Sequence, residues 1–397
     1  MTAVLVILIV VSGLSLAVWG TRHLLVSAER SRDSLLRAER ASGKADLPFV
    51  SVVVAAKDEA ENIETCVRTM LGQDYGDFEM IVVNDRSEDA TGRIVRSIAA
   101  EDGRLRLIDI EHLPDGWCGK NNAMQHGIAA ARGDWICMID ADCRQTSTRS
   151  LAAAMAYALE TDADLLSVLP NLEMKGFWEN VVQPVCGGIM MIWFNPVKVN
   201  DPSRPHAYAN GAFMLMRRSA YERIGTHEAV KDQVNEDMHL AALVKGAGLK
   251  LRVIRNAGLY LVRMYSSLGE IVRGWGRIFY GTFGTLRRLT ISFAVLAVLG
   301  LVPWAGALVG LLAVAAGAPA ASLAGACAAV GAAAALMQLT VIFRFYRLIG
   351  ARASLAWTYA LGCAVGMVAL LTAMGKLRKG SAVTWRNTTY TRGAGPT

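Results

Sequence analysis

The stretch Trp135-Ile-Cys-Met-Ile-Asp-Ala-Asp142 decides how this chain is read. Ile136–Ile139 is a short apolar run, which predicts a buried strand. The strand runs straight into two carboxylates one residue apart, Asp140 and Asp142. Carboxylates at the C-terminal end of a buried strand stand where open α/β sheets bind ligands. Hard oxygen ligands there suit Mg²⁺ or Mn²⁺, ions usually shared with substrate phosphates. A strand followed by a polar turn fits these residues equally well, so the neighbouring segments must choose.

Those segments read as alternating strands and helices. Phe49–Ala56 is a β-branched run, and Lys57-Asp58-Glu59-Ala60-Glu61-Asn62 is expected to open a helix with acidic residues at its N-terminus. Phe78–Val83 is a second strand, ending at Asn84-Asp85-Arg86-Ser87, and a helix is expected over Ala90–Ala100. Leu105–Ile110 is a third strand, Leu113–Gly119 a loop and Lys120–Ala131 a helix. Strands separated in this way form βαβ units and a mostly parallel sheet, with helices on both faces. Three strand ends, at Lys57-Asp58, Asp85 and Asp140/Asp142, then bring carboxylates to one sheet edge, which favours a ligand site over a turn. Further on, Leu151–Ala158 is expected as helix and Asp164–Leu169 as strand. Ala207–Met216 carries Asn210-Gly211, Asn235-Glu236-Asp237 opens a helix running to about Lys245, and Lys250–Ile254 is a strand.

Hydrophobic residues make up 53% of the 397 residues, and their excess lies at Thr2–Trp19 and between Thr290 and Met374. The net charge of +7 therefore belongs to membrane flanks. No Lys/Arg block with interleaved aromatics suggests a nucleic-acid groove, so no nucleic-acid partner is expected. The seven cysteines form no C-x-x-C and read as reduced packing thiols. Thr2–Trp19 is about the minimum length for a span; a signal peptide is the alternative, but no Lys or Arg precedes it and no clear cleavage site follows. Arg22, Arg30, Arg32, Arg37, Arg40 and Lys44 follow it, which predicts an integral protein of the cell membrane with the next domain in the cytoplasm.

The resulting layout is an N-terminal span over 1–20, a charged linker over 21–47 with a helix at Ala28–Arg40, and an α/β domain over 48–262. Residues 263–289 follow as basic aromatic helices of the membrane interface, with spans within 290–374 and a basic tail at 375–397. The spans are Thr290–Gly317, the alanine-rich Ala321–Ile342, and Ser354–Met374. This layout contains a conflict. Three late spans put the tail outside, whereas Lys376, Arg378, Lys379, Arg386 and Arg392 prefer the cytoplasm, so one segment is expected to be re-entrant or interfacial.

Val50–Asn62, Ile81–Gly92, Asp140-Ala-Asp142 and Asn235-Glu-Asp237 together resemble glycosyltransferase family 2, over roughly Phe49–Arg288. Leu113-Pro-Asp-Gly-Trp-Cys-Gly-Lys120 resembles a loop of the membrane-bound members that glycosylate lipids, such as ceramide, hopanoid and carotenoid glycosyltransferases. The resemblance implies a GT-A fold and inverting transfer of a sugar from a UDP-sugar to a membrane lipid hydroxyl, aided by Mn²⁺ or Mg²⁺. It makes Asp142 the metal ligand, and Asp140 a contact of the nucleotide ribose or the metal shell. Asp85 would recognise uracil or ribose, with Ala56, Lys57 and Glu59 as the first nucleotide contacts; the family often has Asn where this chain has Asp58. Lys120 would reach phosphate as a point charge. Asp237 would be the general base beside Glu236, where family members usually have Thr or Gly before the acidic pair and this chain has Asn235. Asn210 and Gly211 would approach donor sugar or acceptor, with His206 and Tyr208 lining the pocket. The distal Arg-Trp pair of the family is missing; Arg273-Gly-Trp-Gly-Arg277 is the nearest match, giving Trp275 to the sugar and Arg277 to the diphosphate.

Two other readings compete. A processive polysaccharide synthase of the same family wants more spans and an intact Arg-Trp motif. A nucleotidyltransferase opens with a glycine-rich phosphate loop, and Ala55-Ala-Lys-Asp-Glu-Ala60 has no glycine.

Overall fold

The computed structural model describes residues 1–28, 35–41, 47–377, 382–385 and 388–391. The chain divides into a helical unit (1–32, 174–190 and 265–378) and an α/β unit (33–173, 191–264 and the tail from 379).

The α/β unit is built on an eight-stranded sheet. Its strands are β1 (Leu35–Leu36), β2 (Val50–Ala56), β3 (Phe78–Asp85), β4 (Leu105–Ile110), β5 (Trp135–Asp140), β7 (Leu165–Leu169), β9 (Phe213–Arg217) and β10 (Leu251–Asn256). They lie in the order β1-β10-β7-β9-β5-β2-β3-β4. Every neighbouring pair is parallel except those of β9, which runs against both β5 and β7. The chain therefore moves outward from β2 through β3 to β4 and returns on the other side of β2 as β5. That reversal makes β2 and β5 the flanks of a topological switch point, where such sheets open a crevice. In register, Ala55 pairs with Asp140 and Ala56 with Asn84, so the ends of β2, β3 and β5 are level.

Alternation along the central strands fills both faces. Val52, Val54, Met80, Val82, Cys137 and Ile139 point into one core, and Val53, Ile81, Val83, Ile136 and Met138 into the other. The first is covered by α2 (Ile63–Leu71), α3 (Thr91–Glu101) and α5 (Ser150–Glu160), the second by α4 (Gly119–Ala130), α8 (Arg218–Arg223) and α9 (Glu236–Gly246). Helix α2 shows why: Ile63, Cys66, Val67 and Met70 recur at helical spacing and are buried. A short sheet of β6 (Cys143–Gln145), β8 (Asn171–Leu172) and β11 (Tyr260–Val262) closes the region beyond β5. Helix α7 is Pro196–Asn200, and the tail forms an antiparallel hairpin of β12 (Ala382–Trp385) and β13 (Thr388–Thr391).

Two expectations are corrected. The charged helix over Ala28–Arg40 does not continue into its described part: Leu35–Leu36 pair with β10, and Ala38–Ala41 make one 3-10 turn. Burying Leu36 and satisfying the sheet edge at Arg255–Asn256 outweighs the helix propensity of a polar segment. Nor does Lys57–Asn62 open a helix, since α2 starts only at Ile63. Asp58 is held at φ +52°, and the amides of Asp58, Glu59 and Ala60 donate to Ser87 Oγ, Thr91 Oγ1 and Asp89 Oδ2 instead of joining a helix.

The helical unit contains α1 (Thr2–Ala28), most of α6 (Phe177–Trp193), α10 (Leu268–Phe283), α11 (Leu286–Val295), α12 (Val302–Ala315), α13 (Ala321–Ile349) and α14 (Tyr359–Lys376). Among the described residues, four stretches are long and apolar enough to cross a membrane: Thr2–Leu24, Leu286–Ala315, Ala321–Ile349 and Ala353–Lys376. Small residues let α1, α12 and α13 approach closely. A Cβ on Gly306 would stand 2.8 Å from Ser12 Oγ, and one on Gly331 would collide with the backbone of Gly306 and Ala307. A π-helical turn at Leu296–Leu301 frees backbone carbonyls, and Gln338 Nε2 (2.6 Å) and Trp19 Nε1 (3.1 Å) donate to Leu299 O.

Helix α4 is pressed onto the sheet at Gly127, where a Cβ would lie 2.5 Å from Val53 Cγ1 and 2.9 Å from Val83 Cγ2. Gly127→Val should therefore lower stability by about 1–3 kcal/mol through overpacking. Thermal unfolding of the detergent-solubilised chain checks this, and an unchanged midpoint would show that α4 can lift without cost.

Candidate active site

The crevice at the switch point gathers side chains from four directions. Strand β5 delivers Asp140 and, one turn beyond, Asp142. The start of α4 delivers Lys120, the start of α9 delivers Glu236 and Asp237, and the loop before β9 delivers Asn210 and Gly211.

Lys120 ties these pieces together. Its Nζ donates to Asp140 Oδ1 (2.6 Å) and bridges to Glu236 Oε1 (2.7 Å), and its side chain is only 16% exposed. Burial opposes its charge, but Asp140, Glu236 and Asp237 outweigh that and hold the ammonium well above the ordinary lysine range. Gly211 closes the group: its N–H donates to Asp237 Oδ2 (2.9 Å). A Cβ at Gly211 would stand 3.1 Å from Lys120 Nζ and 3.5 Å from Asp237 Oδ2, so the backbone fills space a side chain would contest. Asp237 Oδ1 also accepts from the Met238 amide (2.7 Å). Burial and then Glu236 raise the Asp237 carboxyl to about 7, against the opposing pull of Lys120.

Asp142 differs from its neighbour. Asp140 is paired with Lys120, whereas Asp142 Oδ1 is buried without a hydrogen-bond partner. Burial, Asp140 and Glu59 together raise Asp142 to about 8. A buried, unpartnered carboxylate oxygen among further carboxylates fits a cation. Among the described residues no three His, Cys, Asp or Glu side chains form a cage, which suits an ion that takes most of its oxygens from a bound diphosphate and water.

The β2 and β3 ends form one wall. Asp58 Oδ1 accepts from the Glu88 amide (2.9 Å), adding to the bonds that staple the two loops, and Lys57 Nζ reaches Arg86 O at 3.5 Å. Glu59 Oε2 accepts from Asn62 Nδ2 (2.9 Å), and Ala56 ends β2. Asp85 is buried, and both its oxygens accept from Arg86, from Nε at 2.8 Å and Nη2 at 3.0 Å. Arg86 was not singled out from the sequence; an arginine directly after the strand-end carboxylate was the available signal. Gly119 permits the pair, since a Cβ there would collide with Asp85 Oδ2.

Asn210 is fixed through Ser167 Oγ, which accepts from its amide (2.8 Å), while Asn210 Oδ1 accepts from Ala212 N (3.0 Å). Tyr208 stacks on Phe194, ring centroids 5.1 Å apart, and burial and Asp237 raise its phenol to about 12. His206 Nδ1 is buried without a partner. Asn121 is a second residue the sequence did not flag: its Nδ2 donates to the carbonyls of Val230, Lys231 and Gln233, setting the loop that leads into α9. Cys66 and Cys143 are inert here, burial raising both thiols, with Asp142 and Asp140 adding to it.

Trp275 and Arg277 are not brought together with these groups by the α/β unit. Both lie on α10 in the helical unit. Trp275 is buried against Phe279 with Nε1 unpartnered, and Arg277 Nη2 donates to Tyr265 Oη (3.2 Å).

A mostly parallel, doubly covered sheet with carboxylates at its switch point is the GT-A arrangement. The sequence profile of Glycosyl transferase family 2 matches residues 51–225. The chain is 25% identical over 231 residues to the 4,4'-diaponeurosporenoate glycosyltransferase of Staphylococcus aureus strain USA300, a match covering 57% of this chain and 59% of that protein. The protein of the same name from the bovine strain RF122 / ET3-1 matches over the same length. The chain thus spans about three-fifths of the curated relatives it matches. Among solved structures it is similar to the mannosyltransferase PcManGT from Pyrobaculum calidifontis, determined in complex with GDP-Man and Mn²⁺. That likeness has a TM-score of 0.50 at 19% identity and covers 93% of this chain and 98% of that one.

The raised Asp237 carboxyl has a stability consequence. Its folded-state value of about 7 exceeds that of an unfolded aspartate, about 3.9. Ionising it therefore penalises the folded state; the penalty is absent below about pH 4, grows up to about pH 7 and is constant above. Asp237→Asn should raise the thermal midpoint at pH 8 and by less at pH 5. A lower midpoint at pH 8 than the parent would show that the ionised carboxylate is net stabilising.

Proposed function

We propose that this site transfers a sugar, with inversion, from a UDP-sugar to a lipid acceptor, and that the α/β unit does so on the cytoplasmic side of the cell membrane. The observation that carries the reading is Asp237: a half-buried carboxylate raised to about 7, oriented by the Gly211 amide and linked through Lys120 to the Asp140 strand end. An inverting transfer needs one carboxylate to take the acceptor proton as the hydroxyl attacks from the far face of the sugar, and a base poised near neutrality does this efficiently.

The remaining groups suit the donor. Asp142 would hold Mn²⁺ or Mg²⁺ with Asp140 beside it, and the ion would offset charge on the departing diphosphate. Lys120 adds a fixed positive charge between the donor-side and acceptor-side carboxylates. The Asp85–Arg86 pair and the stapled Lys57–Glu59 turn offer acceptors and donors for a nucleoside. The apolar helices suit an acceptor delivered from a bilayer, and the carotenoid-type acceptor named for the Staphylococcus aureus relatives supports a lipid of that kind.

Membranes carrying the full chain should move label from one of a panel of radiolabelled nucleotide sugars into the organic extract. Label in a water-soluble polymer would turn the reading to a processive synthase. Asp142→Ala should abolish metal-dependent release of nucleotide diphosphate, and near-parental turnover of that variant would remove the metal role. Asp237→Asn should bind donor normally yet transfer about 10²–10⁴-fold more slowly. The parent's rate should fall as pH drops below about 7, as the base becomes protonated.

A further inference from the structure

We propose that α14 does not cross the bilayer but lies within a single leaflet, so that the chain crosses three times and its basic tail returns to the membrane face from which the α/β unit departs.

Helices α1, α12 and α13 register against one another over their whole length. At one end Leu5 clusters with Ala313, Ala324 and Cys327. In the middle a Cβ on Gly306 would meet Ser12 and Gly331. At the other end Trp19 groups with Leu299, Val341 and Tyr346, and His23 faces Thr340 (3.3 Å). The levels from Leu5 to His23 span 18 residues of α1, about 27 Å at 1.5 Å per residue, close to the hydrocarbon thickness. Call the His23 end the near face. The chain leaves for the α/β unit after α1 at this face and re-enters through α10 and α11, ahead of Leu299.

Where α14 meets α1 and the helix running into α12, it meets them at the near face. Its beginning meets Trp19, whose ring lies 6.0 Å from that of Tyr359. A Cβ on Gly300 would stand 2.9 Å from Cys363 Cβ, and one on Gly366 would stand 3.2 Å from Leu296 Cδ1. Further along, Thr372 meets Gly276 of α10, whose Cβ would lie 3.1 Å from Thr372 Cγ2. As α14 advances from 363 to 372, its neighbours run backwards from 300 through 296 to 276. It therefore moves from the π-turn toward the interface helices, away from the far ends of α12 and α13. On its other side Gly362 and Gly366 pack against Val181 and Val185 of α6.

Composition alone makes this segment resemble a span. The apolar stretch Ala353–Lys376 joins a 3-10 turn, Ala353–Thr358, to the 18-residue α14, so its length and composition fit a span and only its packing partners set its depth. Leu361, Val368 and Leu371 form an exposed apolar stripe at helical spacing, at 43%, 50% and 53% exposure. The occupant this stripe fits is the acyl region of one leaflet, since it is continuous with helices that face lipid. Exposed Arg273, Arg287 and Arg288 on α10–α11 supply positive charge suited to anionic headgroups. By contrast no Lys, Arg, Asp or Glu occurs from Thr290 to Phe343, so the far-face turn at Gly317–Ala320 is uncharged. Three crossings place Arg22, Arg344, Arg347, Arg352 and Lys376 all at the near face, as the positive-inside rule requires.

Single cysteines read the topology in the full chain. Asp77→Cys marks the α/β unit, Ala320→Cys the far turn and Thr397→Cys the tail, against a parent whose seven cysteines are all buried. Intact cells and inside-out vesicles are treated with a membrane-impermeant maleimide. The tail should label from the same face as Asp77→Cys and the far turn from the opposite one. Labelling of the tail from the face that labels Ala320→Cys would overturn the proposal. Transfer activity does not enter this readout, so its failure is separable from a failure of the proposed reaction.

Discussion

The ammonium of Lys120 between Asp140 and Glu236 is the interaction on which the crevice depends. Four carboxylates, those of Asp140, Asp142, Glu236 and Asp237, converge there with this one cation among them. Carboxylates gathered out of water repel, and removing one partner of a largely buried pair costs about 3–5 kcal/mol because a bare charge remains. The shortage of positive charge explains the two raised carboxyls. At Asp142 the pull of Lys120 is smaller than the push of burial, Asp140 and Glu59, and Asp237 shares Lys120 with two competitors, so burial wins at both. A divalent ion is the natural complement of such a deficit, because it adds charge without adding a side chain to pack.

The position of Lys120 is set by the sheet. Gly127 lets α4 lie against Val53 and Val83, while the Cys118 amide and Asn121 Nδ2 bond to the loop before α9. One helix thus gauges the distance between the end of β5 and the start of α9. Because Glu236 precedes Asp237 by one residue, the salt bridge to Glu236 also fixes where Asp237 stands. The placement of these side chains and fold stability rest on the same few contacts, and Gly211 shows the constraint: its lack of a side chain admits both the ammonium and the carboxylate.

Much of this was legible from the chain because period and punctuation agreed. Phe78–Val83, Leu105–Ile110 and Trp135–Ile139 are short apolar runs between turn residues, and each became a strand at nearly those bounds. Convergence of the strand ends followed from right-handed crossovers. What escaped depended on tertiary partners. Residues 35–36 became strand only because β10 offered an unpaired edge. The antiparallel β9 inserts between β5 and β7 by no local signal. The ties of Lys120 to Asp140 and Glu236 escaped too, since nothing in sequence links residue 120 to residue 236. So did the Arg86 guanidinium, which donates to both oxygens of Asp85.

The membrane segments show the same division between pattern and partner. Hydropathy reports that a helix can be buried in lipid, not that it spans it. The alanine-rich α13 is a weak span by hydropathy but is fixed by small residues that bring its backbone against α1 and α12, where close packing replaces the hydrophobic effect as the source of association. Helix α14 is apolar too, yet its glycines, Gly362 and Gly366, fit α6 and the π-turn instead of the far halves of α12 and α13. Packing partners, which composition does not encode, decide depth. The conflict between a basic tail and an odd number of late spans is removed once α14 is counted as a surface element, because charge and contacts then assign every basic helix end to one face.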